Sequence, residues 1–189
     1  MERGSDGSGI TVSVHATKEV TPEMRRAIVD LCNAANDTTE FERLFAHYIP
    51  SGGRHVVGRL DGRIVGHAVV TTRHAQPEGS RVLRTAFVDA VATDPAAQHR
   101  GVATAVMRRL GESLPDYEIG CLQTDIPDFY ARVGWERWTG ALAGRRDNGT
   151  LVPTSDQRGV MVLRLPATRT LALDGLLTIE CQPDRIWGS

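Results

Sequence analysis

The most informative residues form a turn between two apolar segments, where the sequence reads Gln98-x-x-Gly101-x-Ala103. Gly101 permits a positive φ and a close approach of the backbone to a ligand, and Ala103 is small enough to leave space for a phosphate. A helix that begins at such a turn directs several backbone N–H groups to one point. Arg100 can add a charge-assisted contact. The pattern indicates a pyrophosphate-binding turn, with an ordinary strand-to-helix connection as the alternative.

A carboxylate lies in the apolar strand that precedes this turn. Asp89 interrupts an otherwise apolar run over residues 82–93. A carboxylate in an apolar strand can act as a general base, directly or through water. A polar residue on a solvent-facing strand surface, or a partner in a salt bridge, is the alternative interpretation.

Periodicity and turn residues predict the elements that position these groups. Asp61-Gly62, between two β-rich runs, is a strong signal of a hairpin. Strands are predicted over residues 11–16, 55–60, 64–72, 82–93 and 118–122, and later over 135–142, 159–165 and 171–179, with a mobile loop at 144–158. Helices are predicted after the cap Thr21, from Thr39 with Glu42 as a capping box, over 101–114 and over 125–132.

Composition sets limits on the class of protein. The 189 residues, 41% of them hydrophobic, predict one domain over residues 11–189, after a disordered Gly/Ser-rich segment over 1–10. A net charge of −1 argues against nucleic acid as a partner, and no run is apolar enough for a membrane span. Three distant cysteines and six histidines without ligand spacing predict no metal site. We expect a cytoplasmic protein with reduced thiols.

Residues 91–103, together with the later run Phe-Tyr-Ala-Arg-Val-Gly-Trp at 129–135, resemble the GNAT acetyltransferases. The resemblance implies an α/β (α+β) fold with a central, mixed, mostly antiparallel sheet, splayed at the acetyl-CoA strand and flanked by helices. It also implies acetyl-CoA as co-substrate, bound by strand and turn residues. These are Val91, Ala92, Thr93, Gln98, His99, Arg100, Gly101, Val102, Ala103 and Thr104.

Within that superfamily, residues 66–70, 87–91 and 130–135 and the ending Asp-Arg-Ile-Trp at 184–187 resemble the aminoglycoside 2′-N-acetyltransferases. This resemblance implies that Asp89 replaces a family glutamate and that Tyr130 is the general acid for the departing thiolate. A core tyrosine is the alternative for Tyr130. It further implies a small-molecule amine substrate, a role in antibiotic resistance and a homodimer. The implied substrate-binding residues are Asp37, Glu40, Asp89, Ala90, Asp156, Asp184, Arg185 and Trp187.

The chain departs from that subfamily near its C-terminus. Arg185 stands about where the family has its terminal acid, and Trp187 either lines the substrate pocket or anchors the tail in the core. A mixed Arg/Asp pocket would suit an aminoglycoside that itself carries an acid group, such as kasugamycin. The alternatives are acetylation of another small amine or of a protein N-terminus, and a non-catalytic acyl-CoA-binding regulator.

Overall fold

The computed structural model describes residues 4–5, 9–48, 53–154, 159–182 and 186–187, which form two compact units. The first unit comprises residues up to 71 together with 88–114, and the second comprises 72–87 together with the remainder. The elements of the first unit are β1 (Gly4–Ser5), β2 (Ile10–Ala16), α1 (Pro22–Asn36), α2 (Phe41–Tyr48), β3 (Arg54–Leu60), α3 (Val102–Glu112) and parts of β4 (Arg63–Pro77) and β5 (Leu83–Thr93).

The strands of the first unit pair in an antiparallel order that begins with β1, β2, β3 and β4. The predicted hairpin is confirmed, with Asp61 at φ 50° and Gly62 at φ 81° in the turn. The predicted cap of α1 is confirmed as well, since Oγ1 of Thr21 accepts a hydrogen bond from Met24 N at 3.2 Å. β1 pairs with β2, although the sequence predicted a disordered segment over residues 1–10.

The hairpin contains a β-bulge in β4. Gly58 pairs with Gly66 and Arg59 pairs with Ile64, so Val65 is the extra residue. The carbonyl of Val65 accepts a hydrogen bond from the backbone N–H of Asp94 at 2.9 Å, directly after the end of β5. The bulge therefore fixes the point at which β5 passes into the following turn.

Helix α3 lies against the two glycines of this hairpin. A Cβ atom added to Gly66 would lie 2.5 Å from Cγ1 of Val102, and one added to Gly58 would lie 2.9 Å from Cγ2 of Val106. Both valines are buried. The absence of side chains at the two glycines sets how closely the first turns of α3 approach the sheet.

The second unit contains β6 (Ile119–Gln123), α4 (Pro127–Ala131), β7 (Glu136–Arg137), β8 (Leu142–Arg145), β9 (Leu151–Pro153), β10 (Val160–Arg164) and β11 (Leu177–Glu180). β6 pairs parallel with β5 through residues 85–87 and antiparallel with β10, which also pairs with β7. β11 pairs antiparallel with residues 75–77 of β4 and parallel with β8, whose other partner is β9. The mixed, mostly antiparallel sheet with few helices confirms the predicted fold class.

Three predictions for this unit need correction. The strand expected over 135–142 is divided into β7 and β8, because Trp138 and Thr139 bond to Val160 O and Leu173 O through their backbone N–H groups. The expected loop over 144–158 contains β9. The final strand is confined to Leu177–Glu180.

A fully buried arginine joins the C-terminal segment to β4 within the second unit. Nη2 of Arg73 donates to the carbonyl of Glu180 at 2.5 Å, and Nη1 donates to the carbonyl of Trp187 at 3.3 Å. Its Nε lies 3.5 Å from Oε1 of Glu180, and the guanidinium lies 4.8 Å from the ring centroid of Phe87. Trp187 is 2% exposed and packs in the apolar core of this unit.

Candidate active site

The turn after β5 is built from backbone hydrogen bonds. Oδ1 of Asp94 accepts from Ala96 N at 2.8 Å, and the carbonyl of Asp94 accepts from Ala97 N, also at 2.8 Å. These bonds close one 3₁₀ turn, Pro95–Ala97, whose cap residue is Asp94. Asp94 therefore shapes the turn, a role that the sequence analysis did not assign.

Two residues with positive φ bring the chain from this turn into α3. His99 has φ 60°, and Gly101, the N-cap residue of α3, has φ 85°. The N–H groups of Val102, Ala103 and Thr104 open the helix, where no preceding turn offers them a carbonyl. The side chain of Val102 is buried, so this residue can offer a ligand its backbone alone. The result is a group of amides without helical acceptors at the positive end of a helix dipole.

The side chains at the end of β5 alternate between two environments. Ala92 is buried in a cluster with residues of α1, α2 and β3, whereas Val91 and Thr93 are half-buried. The strand therefore turns Val91 and Thr93 to the opposite face from Ala92.

The backbone is irregular at Ala90, directly before Val91, and the alternation of side chains between the two faces of the strand is interrupted there. Ala90 has φ 51°, a left-handed conformation that costs an alanine free energy. Asp89, Ala90 and Val91 are three consecutive half-buried residues, where a regular strand would alternate. A left-handed residue within a strand changes the direction in which the adjacent side chain points, here that of the candidate base Asp89.

A histidine pair lies beneath this irregularity. Nδ1 of His67 lies 2.9 Å from the carbonyl oxygen of Ala90, and Nε2 of His67 lies 2.9 Å from Nδ1 of His55. Both rings are fully buried. Burial lowers the pKa of His67 to about 3, with a further lowering from His55, and burial lowers the pKa of His55 to about 4. Both imidazoles are therefore neutral at physiological pH.

Tyr130 belongs to α4 in the second unit and is 6% exposed. Its ring lies edge-on to Phe129 and Trp135, with centroids 5.0 and 6.3 Å away. Burial raises the pKa of Tyr130 to about 12, and a hydrogen bond with the side chain of Thr124 partly offsets that rise. The hydroxyl is therefore protonated at neutral pH. Sequence reasoning did not find Thr124, although a hydroxyl residue shortly before α4 was a usable signal.

Comparison with known proteins identifies the family. A family model described as "Acetyltransferase (GNAT) domain" matches residues 16–138. The chain belongs to the GNAT acetyltransferase family. An aminoglycoside 2′-N-acetyltransferase from Mycolicibacterium fortuitum is 29% identical over 133 residues, which cover 69% of this chain and 68% of that protein.

Solved structures share the GNAT fold. A probable N-acyltransferase from Enterococcus faecalis V583 gives a TM-score of 0.58 at 18% identity, over 69% of this chain and 33% of that one. A GNAT acetyltransferase from Brucella melitensis, solved in complex with acetyl-CoA, gives 0.56 at 14% identity, over 91% and 96%. This GNAT chain spans about a third of the length of the first structures that it matches (33% and 35%).

The residues implied to bind substrate in this GNAT chain have different environments. Asp37 is exposed and ends α1 in a left-handed conformation, with φ 49°. Glu40 is exposed and forms an ion pair with Arg43 at 3.2 Å. Trp187 is buried, which supports the tail-anchor alternative over contact with substrate. Three implied residues lie outside the described ranges: Asp156, Asp184 and Arg185.

In residues 4–5, 9–48, 53–154, 159–182 and 186–187, no three or more His, Cys, Asp or Glu side chains are grouped so that they could hold a metal ion. The helices described there include none that is long and apolar enough to cross a membrane.

Proposed function

We propose that this GNAT chain transfers the acetyl group of acetyl-CoA to an amino group of a small molecule, with the 2′-amino group of an aminoglycoside as the first substrate to test. Acetylation there would remove a positive charge and would confer resistance. The observation that carries the proposal is the turn with positive φ at His99 and Gly101, which ends in the open N-terminus of α3.

Acetyl-CoA fits the chemistry of this turn. Its pyrophosphate carries negative charge, which is stabilised by backbone N–H groups and by the positive end of a helix dipole. The proposed contacts are the amides of residues 101–104 and the exposed side chains of Gln98, His99 and Arg100. Backbone groups of Val91 and Thr93 would bind the pantetheine arm, as the family resemblance implies, because Ala92 faces the core.

Two side chains would handle the protons of the reaction. The neutral amine nitrogen bonds to the thioester carbonyl carbon, and the C–S bond breaks as the tetrahedral intermediate collapses. The carboxylate of Asp89 would take the proton that the nitrogen loses, through a bridging water. The Tyr130 hydroxyl would act as the general acid: it would give its proton to the sulfur as the C–S bond breaks and regain one from solvent, and a pKa of about 12 keeps it protonated until then.

The proposed substrate class rests on similarity to a named acetyltransferase and on two residues of this sequence. The Mycolicibacterium fortuitum protein carries the name of an aminoglycoside 2′-N-acetyltransferase. The neighbouring Asp184 and Arg185 suggest a pocket of mixed charge, which would suit an aminoglycoside with its own acid group, such as kasugamycin. From the family resemblance we further propose a cytoplasmic homodimer, which analytical ultracentrifugation tests.

Calorimetry with CoA and acetyl-CoA tests the cofactor. We expect the chain to bind both and Gly101→Val to lose most of the affinity, because a β-branched residue resists φ 85° at the centre of the amide group. Gly149→Val is the matched control, since Gly149 has φ 82°, has open space around it and lies in the second unit. Absence of binding by the unsubstituted chain would refute the proposal.

A substrate panel tests the acceptor. Thiol release from acetyl-CoA is measured with kasugamycin, gentamicin, tobramycin, a polyamine, an amino acid and a peptide N-terminus. Turnover of gentamicin and tobramycin alone would reject kasugamycin, and turnover of the last three alone would reject aminoglycosides. Acetyl-CoA binding without turnover of any amine would favour a regulator. Asp89→Ala and Tyr130→Phe should lower kcat more than they weaken acetyl-CoA binding.

A further inference from the structure

We propose that His67 is a positioning residue for the acetyl transfer: its neutral ring holds the carbonyl of Ala90, keeps that residue in its left-handed conformation within β5 and so directs the carboxylate of Asp89 to the amine. This inference rests on the proposed function of Asp89. The geometry on which it depends lies within the first unit and can be tested without turnover.

The direction of each hydrogen bond follows from the partners. A carbonyl oxygen accepts only, so Nδ1 of His67 carries a proton and donates it to the Ala90 carbonyl, 2.9 Å away. In a neutral ring Nε2 is then an acceptor, and it receives the Nδ1 proton of His55, also at 2.9 Å. Both histidines are thereby assigned the Nδ1–H tautomer.

The surroundings keep this arrangement fixed. The ring of His55 stacks on Phe45, with centroids 5.5 Å apart and planes 20° from parallel. Sγ of Cys32 lies 3.9 Å from Nδ1 of His67 on the side of α1. Burial also keeps both rings neutral, because their pKa values fall to about 4 and about 3. A neutral ring with one donor and one acceptor gives each bond a single direction.

The left-handed conformation of Ala90 needs such a support. A left-handed alanine is strained, and strain of this kind persists only where the surroundings hold it. The bond from His67 is made to the carbonyl of the strained residue itself. If the bond is lost, Ala90 can return to an extended conformation, which restores strand alternation and turns the neighbouring Asp89 away from its direction.

The tautomer is measured first, because it is independent of catalysis. Long-range ¹⁵N–¹H correlation spectra of ¹⁵N-histidine-labelled protein at pH 7 separate the two tautomers and the imidazolium. We expect His55 and His67 in the Nδ1–H form, assigned by His55→Asn and His67→Asn spectra. An Nε2–H or protonated His67 overturns the proposal, whether or not the chain proves to be an acetyltransferase.

Three substitutions at His67 then test positioning. The amide N–H of asparagine occupies about the place of Nδ1, whereas that of glutamine occupies about the place of Nε2, and leucine offers no donor. With the best acceptor of the panel, we expect His67→Leu and His67→Gln to lower kcat about tenfold, while the KM for acetyl-CoA stays within about twofold. His67→Asn should restore kcat to within about threefold of the unsubstituted enzyme.

The controls separate positioning from unfolding. His74→Asn changes an exposed histidine of the second unit and should leave kcat unchanged. If a variant loses its acetyl-CoA affinity by calorimetry, it is replaced in the comparison by His55→Asn and His55→Leu, which keep or remove the donor to the other nitrogen of His67, Nε2. If the asparagine and leucine variants have equal kcat values both at His67 and at His55, His67 is not a positioning residue. If no amine is turned over, the proposed function fails, and the tautomer measurement still decides the hydrogen-bond geometry.

Discussion

Each unit contains a buried side chain with several nitrogens that donates to a backbone carbonyl, His67 in the first and Arg73 in the second, and these two side chains differ in charge. In the first unit, neutral His67 donates to Ala90, and its other nitrogen is satisfied by a second neutral ring. In the second unit, Arg73 keeps its charge and donates to the carbonyls of Glu180 and Trp187, beside the Glu180 carboxylate. His67 has one partner at each ring nitrogen, whereas a buried guanidinium needs several acceptors and an anion.

The difference in charge between His67 and Arg73 suits the surroundings of each side chain. The histidine pair supports a strained residue next to the candidate base, where an extra charge would disturb proton transfer. The arginine joins β4, β11 and Trp187, where several donors in one plane are an advantage. The two clusters should therefore respond differently to substitution and to pH.

The largest loss of stability is expected from a substitution of the buried Arg73. Arg73→Met removes a buried cation and leaves the carbonyls of Glu180 and Trp187 without their donor, so the free energy of unfolding should fall by about 3–5 kcal/mol. Urea unfolding followed by circular dichroism measures it. Arg81→Met is the control, since Arg81 forms an exposed pair with Glu118 and should matter little. A loss at Arg73 no larger than that of the control would contradict the comparison.

The buried pair of His55 and His67 should make the stability of the protein depend on pH. In the unfolded chain a histidine titrates near pH 6.5, whereas in the folded chain burial lowers the pKa values to about 4 and about 3. The unfolded state therefore binds more protons below pH 6.5, and stability falls as pH falls, by up to about 1.4 kcal/mol per pH unit for each histidine. Urea unfolding at pH 7.0, 6.0 and 5.0 measures the slope. His67→Asn should flatten it, and an unchanged slope would show that the pair titrates normally.

A smaller effect is expected from removing the outer ring of the pair. His55→Phe keeps an aromatic face against Phe45 but takes the donor away from Nε2 of His67, so unfolding should become easier by about 1–2 kcal/mol. The same urea assay applies. His55→Asn retains an N–H near Nδ1 and serves as the matched variant. A phenylalanine variant as stable as the native chain would mean that the second ring contributes packing alone.

The smallest loss of stability is expected when Arg73 loses its ion pair with Glu180 and keeps its contacts with the two carbonyls. Glu180→Gln removes the anion beside Arg73 and keeps an oxygen that can accept from His74 N. Because the carboxylate is partly exposed and two carbonyls still accept from Arg73, the expected loss is under about 1 kcal/mol. Thermal unfolding measures it. A loss as large as that of Arg73→Met would assign the cluster's stability to the ion pair instead of the carbonyl contacts.

Sequence reasoning placed the hairpin correctly but could not place the histidine pair. In a regular hairpin with Asp61-Gly62 as its turn, His55 would pair with Ala68. His55 and His67 would then lie on opposite faces of the sheet. The extra residue Val65 shifts the register by one, which brings both rings to one face. Gly58 and Gly66 were a signal, since glycines inside strands often mark a bulge or a close approach.

The C-terminal half was harder because its apolar segments lack a clear period. The run over 135–142 is apolar enough for one strand, yet its backbone bonds go to two different partners, which composition does not encode. The buried Trp187 has its carbonyl held by Arg73, more than a hundred residues earlier in the chain, and packs in an apolar cluster of distant residues. The turn at Gly101, by contrast, depends on local φ preferences and was predictable from its residues.

The close contact between α3 and the hairpin limits how this chain can change. Gly66 and Val102 share one space, as do Gly58 and Val106, so a larger residue on the sheet is compatible with the same helix position only if the facing valine becomes smaller. Variation at these four positions should therefore be correlated among relatives of this chain. A design that alters cofactor preference by moving the start of α3 would have to change members of each pair together.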